Sequence, residues 1–421
     1  MQLSEDCFAF GGPLLSAAEA LQILSARIAV VSGTENVPLA VALGRILASD
    51  VTAARDVPPH DNSAVDGYAV YFDDLAPGAA TRLPLGGRAA AGHSLPHPAR
   101  RGAAVRIFTG APMPKGEGDG PDTVLMQEDG REDEGHVVIP PGLKRGANRR
   151  KAGEDVCAGT TILKAGARLR PQDLGLAASI GMTALDVRTP LRVAIFSTGD
   201  ELREPGHAAE AGTVYDANRF TLAGLLRDLG MAVTDLGILP DKEDSIRDTL
   251  AKAAEGHDAI VTSGGMSTGE EDHVRAAVSA LGTFHFWRLA VKPGRPVGLG
   301  QVGRVPFIGL PGNPVAMMVT FMRLARPLLL GLAGSADVEP QLYRVRAGFA
   351  HKKKPGRREW LRVRLAPGAD GIPVARKFAR DGAGILSSLV ESQGLVELAE
   401  AVEDLDEGTL VDYLPFNEAA R

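Results

Sequence analysis

The sequence predicts a multidomain protein of the α/β-plus-β class. A central doubly wound α/β domain stands between an N-terminal helical region, which carries an inserted β domain, and a C-terminal β domain. Three observations predict this order. Between residues 191 and 332 short apolar runs alternate with helical patterns, the signature of βαβ units and a parallel sheet. Between residues 51 and 151 short apolar runs alternate instead with Gly- and Pro-rich turns, as in a small all-β domain. Beyond residue 332 strand-like runs return without helices between them.

The N-terminal region is justified by its caps. Ser16 and Glu19 have capping-box spacing, and Ala17, Leu21, Leu24 and Ile28 follow at helical intervals, so a helix starts at Ser16. Residues 39–49 predict a second, shorter helix, and residues 174–180 a third. The runs 103–108, 123–127 and 137–139 read as strands, and their place between helical stretches makes the β segment an insertion. The boundaries that follow are 1–50 with 152–188 for the helical region, 51–151 for the inserted β domain, 189–333 for the α/β domain and 338–416 for the C-terminal β domain.

In the central domain, strands at 191–196, 233–239, 259–261 and 305–310 alternate with helices. These helices cover 220–229 (stopped by Gly230), 245–254 and 273–281, and a last one begins near Asn313. The segment 314–332 is the most apolar of the chain, but Arg323, Arg326 and Pro327 interrupt it, so it reads as a buried helix and not a membrane span. In the C-terminal region, 343–349, 359–365 and 374–376 read as strands.

The bulk properties exclude several classes. A chain of 421 residues is too long for one ordinary core and suggests two to four domains. A net charge of -6 argues against a general nucleic-acid binder, which is usually basic. The cysteines Cys7 and Cys157 are isolated, forming neither a disulfide framework nor a zinc cluster, which fits a reducing compartment. The first residues lack a basic start followed by an apolar run, so the expectation is a cytoplasmic protein with no membrane partner.

Ligands of open parallel sheets bind beyond the C-terminal ends of the strands. Four unusual loops fall at such ends: Ser197 to Leu202, Pro240-Asp241, Ser263 to Asp272, and Gly309 to Pro314. The third is glycine-rich, carries hydroxyls and leads into a helix, the makings of an anion site built from backbone N–H groups. A strand-to-helix turn needs no more than this, and Asp272 at its end suits a helix cap as well as a metal. Asn313-Pro314 likewise suits an N-cap followed by the first helical position. Lys292 and Arg295 place two cations on a stiff turn suited to an anionic ligand, though most such runs are only solvated turns. In the β segment, Asp61 and Asp66 lie five apart beside Asn62 and Ser63, Thr109 ends a strand, and Asp155 follows the mixed charge of Arg149 to Glu154. His60 has no partner pattern for zinc.

These strings occur together and in this order: PPHDNSAVDGYA, RIFTGAPMP, RRKAGEDV, STGDEL, VYDANR, SGGMSTGEED, FWRLAVKPGRP, GLPGNPV, and later GRREWLRVRL and GAGILSSL. As a set they resemble the molybdopterin molybdenumtransferases, that is bacterial MoeA and the C-terminal half of gephyrin, from about Leu14 to Phe416. The resemblance implies an elongated helical region with an inserted β domain, a central molybdopterin-binding α/β domain and a C-terminal β-barrel-like domain. It implies a transferase that takes adenylylated molybdopterin and molybdate and releases AMP and molybdenum cofactor, using a divalent cation, usually magnesium. It implies a homodimer, with the molybdopterin adenylyltransferase of the same pathway as a further partner.

Roles carried over by the motifs fall on Asp66, Thr109, Asp155, Glu201, Asp241, Asp272, Lys292 and Ser387. Glu201, Asp241 and Asp272 are expected around the metal and phosphates. Ser263, Gly264, Gly265, Ser267 and Gly269, with Arg288, Arg295, Pro311, Gly312, Asn313 and Pro314, are expected to bind substrate. Arg288 and Arg295 stand where some relatives are expected to carry Lys, and a fixed fork replaces a mobile point charge there. Three other readings remain beside this one: a molybdopterin adenylyltransferase, which would need neither β domain; a tungsten-selective paralogue; and a non-catalytic cofactor-binding scaffold.

Overall fold

The computed structural model describes residues 14–208, 210–265 and 273–419. They form two compact units, one of residues 50–164 with 171–183, the other made of the rest of the chain.

The larger unit begins at the helix Ala17–Arg27, whose capping box is formed: the Glu19 amide donates to Ser16 Oγ at 3.2 Å and the Ser16 amide to Glu19 Oε2 at 2.8 Å. The helix expected at 39–49 is absent. A single 3₁₀ turn at Leu39–Val41 is followed by extended chain, in which Ile46 bridges to Arg168 and Leu47 to Val187. Gly44 has φ +74°, which a helix cannot continue through, and Leu47 is buried by the pairing instead.

The central sheet has six strands in the order Ala232–Leu239, Arg192–Thr198, Ala259–Ser263, Val305–Leu310, Pro296–Val302, Gly282–Arg288. The first four are mutually parallel, as the βαβ pattern predicts. Alternate residues face opposite cores. Val193 and Ile195 pack with Leu222, Leu226 and the buried apolar residues of 314–333, while Ala194 and Phe196 pack with Ile246, Leu250 and Val274. Burial on both faces is why these strands read as unbroken apolar runs.

Two strands escaped the sequence pattern. Gly282–Arg288 and Pro296–Val302 form an antiparallel pair at one edge, and Pro296–Val302 also runs antiparallel to Val305–Leu310. The sheet is therefore mixed rather than wholly parallel. The run Gly298, Gly300, Gly303 looks like loop in sequence, yet a Cβ on Gly300 would come within 2.3 Å of the Thr283 carbonyl oxygen, so the close pairing itself requires glycine. The connection between these strands carries Lys292 and Arg295.

The apolar segment is one helical rod, Pro314–Thr320, a π-helical turn at Phe321–Ala325, and Arg326–Ala333. Pro327 lacks an N–H and its ring would strike a carbonyl one turn back, and the π turn widens the helix just before it. The rod is buried among the unit's own residues even though it is long and apolar enough to span a bilayer. Beyond it, Arg358–Ala366, Val374–Lys377, Tyr343–Ala347, Leu410–Pro415 and Gly394–Leu398 pair in that order. The last pairs back onto the first and closes a barrel. Val291–Lys292 pairs in parallel with the start of the strand Arg358–Ala366, Lys292 opposite Glu359.

The smaller unit is built on a six-stranded sheet ordered Thr123–Met126, Gly67–Val70, Ala104–Ile107, Thr81–Ala89, His136–Ile139, Arg131–Asp133. Two short ribbons, Asn62–Ser63 with Arg149–Arg150 and Val51–Thr52 with Thr161–Leu163, complete its strands. The helix Pro171–Ser179 belongs to this unit.

Candidate functional site

A cleft of about 840 Å³ opens in the larger unit where the parallel strands end. Of the expected residues, Glu201, Ser263, Gly264, Gly265, Pro311, Gly312, Asn313 and Pro314 line it. Their loops are fastened together. The Ser263 hydroxyl donates to the Pro311 carbonyl at 3.1 Å and the Gly264 amide to the Leu310 carbonyl at 3.1 Å. Gly264 and Gly265 have φ of +102° and +66°, conformations that favour glycine and turn the chain sharply at the strand end.

The residue that joins these loops is Asn218, at the first position of the helix Asn218–Asp228. Its Nδ2 donates to Ser263 Oγ at 2.9 Å and to the Gly312 carbonyl at 2.7 Å. One amide thus ties the ends of two strands to the start of a helix. Beside it Asp216, itself lining the cleft, is only 2% exposed. Its Oδ2 accepts from Arg219 Nε at 2.9 Å, while Arg219 also meets Asp235 and Glu204, both at 2.5 Å. Burial opposes the Arg219 charge, but the bonds to Asp235 and Asp216 outweigh it, and the guanidinium is held more firmly protonated than usual. The string VYDANR contains both residues, Asp216 and Asn218, and by itself implies no task for either. The signal was an Asp and an Asn at a helix start directly after a strand-like pair.

The expected acidic residues are only partly brought together. Glu201 lines the cleft; Asp241 does not, but it accepts at 3.2 Å from the Oγ1 of Thr198, which does. Asp272, Ser267 and Gly269 lie outside the described residues. Among the described residues no three His, Cys, Asp or Glu side chains cluster as a ready metal site. Asn313 makes no side-chain capping bond and lines the cleft.

Lys292 does not line the cleft. It borders a smaller cavity of about 180 Å³ with Glu359, Arg362, Lys377 and Asp381, and Pro293 and Ala383 line both spaces. Its ammonium lies 2.5 Å from Glu359 Oε1, so it is not the simple solvated turn cation that its sequence allowed. Arg288 and Arg295 are exposed and line neither cavity. Ser387 is exposed at the start of the helix Ser387–Glu391, while Ala383 and Gly384 of the same motif reach the cleft.

In the smaller unit Asp66 and Thr109 meet. Asp66 Oδ1 accepts from the Thr109 amide at 2.8 Å and its hydroxyl at 2.7 Å. The amide first, then the hydroxyl, hold the carboxyl below the usual carboxylate range, with Arg106 adding to them. Arg106 is fixed between aromatic faces, 4.9 Å from the ring centres of both Tyr68 and Phe108. Asp61 is engaged by Arg149 Nε at 2.6 Å and the Ala152 amide at 2.7 Å, which makes it structural. Asp155 is exposed, its amide bonded to the Val57 carbonyl at 3.0 Å.

Comparison with known proteins covers the chain in three blocks. Residues 15–181 match the MoeA N-terminal region (domain I and II), residues 194–331 a probable molybdopterin binding domain, and residues 344–416 the MoeA C-terminal region (domain IV). The chain is 36% identical to the molybdopterin molybdenumtransferase of Haemophilus influenzae over 91% of this chain and 94% of that one. It is 34% identical to molybdopterin molybdenumtransferase 2 of Mycobacterium tuberculosis over 89% and 93%. The solved molybdopterin biosynthesis MoeA protein of Pyrococcus horikoshii superposes with a TM-score of 0.81, at 28% identity, covering 96% of this chain and 100% of that one.

Proposed function

Because the chain belongs to the molybdopterin molybdenumtransferase (MoeA) family, we propose that it transfers molybdenum from molybdate to adenylylated molybdopterin, releasing AMP and molybdenum cofactor. The observation that carries this reading is the cleft at the strand ends, with its Ser263-Gly264-Gly265 turn fastened by Asn218. Such a turn presents backbone N–H groups to phosphate, and its glycines let the phosphate approach closely.

Magnesium fits the donor set. It takes hard oxygen ligands and is usually bound by one or two carboxylates together with substrate phosphates, so a ready cluster of three is not required. Glu201 and Asp241 would supply those oxygens, with Asp272, and the ion when bound would offset phosphate charge against the carboxylates. Ser263, Gly264 and Gly265, with Ser267 and Gly269, hold phosphate in this reading, and Pro311 to Pro314 form the adjoining wall. Lys292 and Arg295 meet the anionic substrate, molybdate above all. Arg288 and Ser387 take part in substrate binding in this reading, and Asp155 acts with Asp66 and Thr109 of the smaller unit. No covalent protein intermediate is required, since the oxyanion can act on the activated phosphate with AMP as leaving group.

The protein works as a cytoplasmic homodimer in this reading. Asp66 and Thr109 belong to one compact unit and the cleft residues to the other. The smaller unit of one protomer then serves the cleft of its partner, giving two equivalent composite sites. The molybdopterin adenylyltransferase of the same pathway would deliver the substrate. The deciding experiment is AMP release from adenylylated molybdopterin with and without molybdate. Anion-independent release, or synthesis of the adenylylated compound from ATP, would overturn the proposal.

A further inference from the structure

Glu359 is a carboxylate that no step above uses, and its position is unusual. It lies on the barrel strand Arg358–Ala366, two residues before Leu361 and four before Val363 of the barrel core, and its side chain is 1% exposed. Oε1 lies 2.5 Å from Lys292 Nζ and 3.4 Å from His351 Nε2. Oε2 is buried without a hydrogen-bond partner, and the Arg357 guanidinium stands 4.0 Å from it. A buried charge with half of its bonding capacity unused is costly, so its location calls for a reason.

The backbone supplies one. Val291–Lys292 pairs in parallel with the start of this strand, Lys292 directly opposite Glu359, and the Arg358 amide donates to the Ala290 carbonyl at 2.8 Å. The lysine and the glutamate are therefore held in register before their side chains meet. The other charges on the small cavity are engaged elsewhere. Lys377 pairs with Asp381 at 3.1 Å, and Arg362 donates to Ser388 Oγ at 2.6 Å and the Gly382 carbonyl at 2.9 Å. Among the described residues Glu359 is the one carboxylate within ion-pair distance of Lys292, while Asp381 on the same cavity also feels its charge.

We propose that Glu359 is the positioning residue of Lys292. It fixes the ammonium where the small cavity borders the main cleft, and its carboxylate limits how tightly an oxyanion is held there. The inference rests on the reading in which Lys292 meets molybdate. A lysine on a four-carbon stem has many rotamers, and a buried anion in register selects one. The same anion repels a second one, so the oxyanion is positioned without being trapped.

The test uses the full-length chain with Glu359→Gln and Glu359→Asp. Glutamine keeps the acceptor and removes the charge; aspartate keeps the charge and withdraws it by one methylene. Molybdate binding is measured by calorimetry, turnover by AMP release, and accessibility of Lys292 by its labelling rate with an amine-reactive reagent, read by peptide mass spectrometry. Glu359→Gln is expected to bind molybdate roughly tenfold more tightly, about 1.4 kcal/mol, while kcat falls. Glu359→Asp is expected to raise KM for molybdate and lower kcat. In both, Lys292 should be labelled several-fold faster than in the wild type. If both variants lose thermal stability yet leave labelling and molybdate dependence of the folded protein unchanged, Glu359 merely props the barrel and the proposal falls. If labelling responds while the wild type neither binds molybdate nor releases AMP, the positioning stands and the reading of the reaction falls. Should one variant fail to fold, labelling of the other decides.

Discussion

Replacing Asn218 with Ala separates fastening from folding. The substitution removes two hydrogen bonds, to Ser263 Oγ at 2.9 Å and to the Gly312 carbonyl at 2.7 Å. Each such bond contributes a net of about 0.5–1.5 kcal/mol, so roughly 1–3 kcal/mol of stability is at stake. The lower end applies, because Gly312 is exposed and water can take over its carbonyl. Alanine is also the best helix former, which returns part of the cost at the first helical position. The larger unit should therefore stay folded. Function should suffer far more, since the two loops that Asn218 joins would relax independently. A displacement of about 1 Å in positioning groups can cost about 100-fold in rate. The expected outcome is a drop of about two orders of magnitude in kcat/KM for adenylylated molybdopterin, with denaturant unfolding shifted by about 1–2 kcal/mol. Asn218→Asp should be worse for activity, because it loses the donor to Gly312 and adds a negative charge to a phosphate site. Asn218→Ala with near-normal AMP release would refute the idea that this amide organises the cleft. So would an activity loss that follows the unfolded fraction at every temperature.

Four further outcomes follow from the geometry. Exhaustive chelation of divalent cations should abolish AMP release and added magnesium should restore it; full activity in chelator would remove the metal role assigned to Glu201 and Asp241. Arg219→Met should cost about 3–5 kcal/mol by stranding Asp216, which is 2% exposed beside a guanidinium whose side chain is 5% exposed; a change under about 1 kcal/mol in urea unfolding would contradict the hub. Thr109→Val should move the acid limb of the pH–rate profile upward. The Asp66 carboxyl is depressed in the folded protein, so the charged form and the stability linked to it are present above the ordinary carboxylate pKa and are lost as pH falls through the lower folded value; an unmoved acid limb would show that the hydroxyl does not serve Asp66. Finally, Asp66→Asn and Glu201→Gln, each inactive alone, should regain about a quarter of wild-type activity when mixed by co-refolding, whereas activity at the single-mutant level would reject a composite site.

What the sequence could and could not reveal divides by interaction range. Strands such as Val305–Leu310 and the capped helix Ala17–Arg27 are legible because their determinants are local: an apolar run covered on both faces, and a Ser and a Glu three apart. The helix expected at 39–49 failed because Gly44 and the bridges of Ile46 and Leu47 to residues more than a hundred positions away override a modest helical pattern. The strand Pro296–Val302 was hidden by its own glycines, which exist for neighbours that only the fold supplies. The same division runs through the site. Glu201, Ser263 and Asn313 could be placed at strand ends from the pattern alone, since a doubly wound sheet puts such loops in one crevice. That Asn218 would join two of those loops, or that Glu359 would stand opposite Lys292, depends on contacts between residues 67 positions apart in the latter case and 45 and 94 apart in the former. Local sequence carries no trace of such pairings. A motif string can contain such residues without showing what they hold: Asn218 lies in VYDANR and fastens the Ser263 turn to Gly312, and Glu359 lies in GRREWLRVRL and meets Lys292.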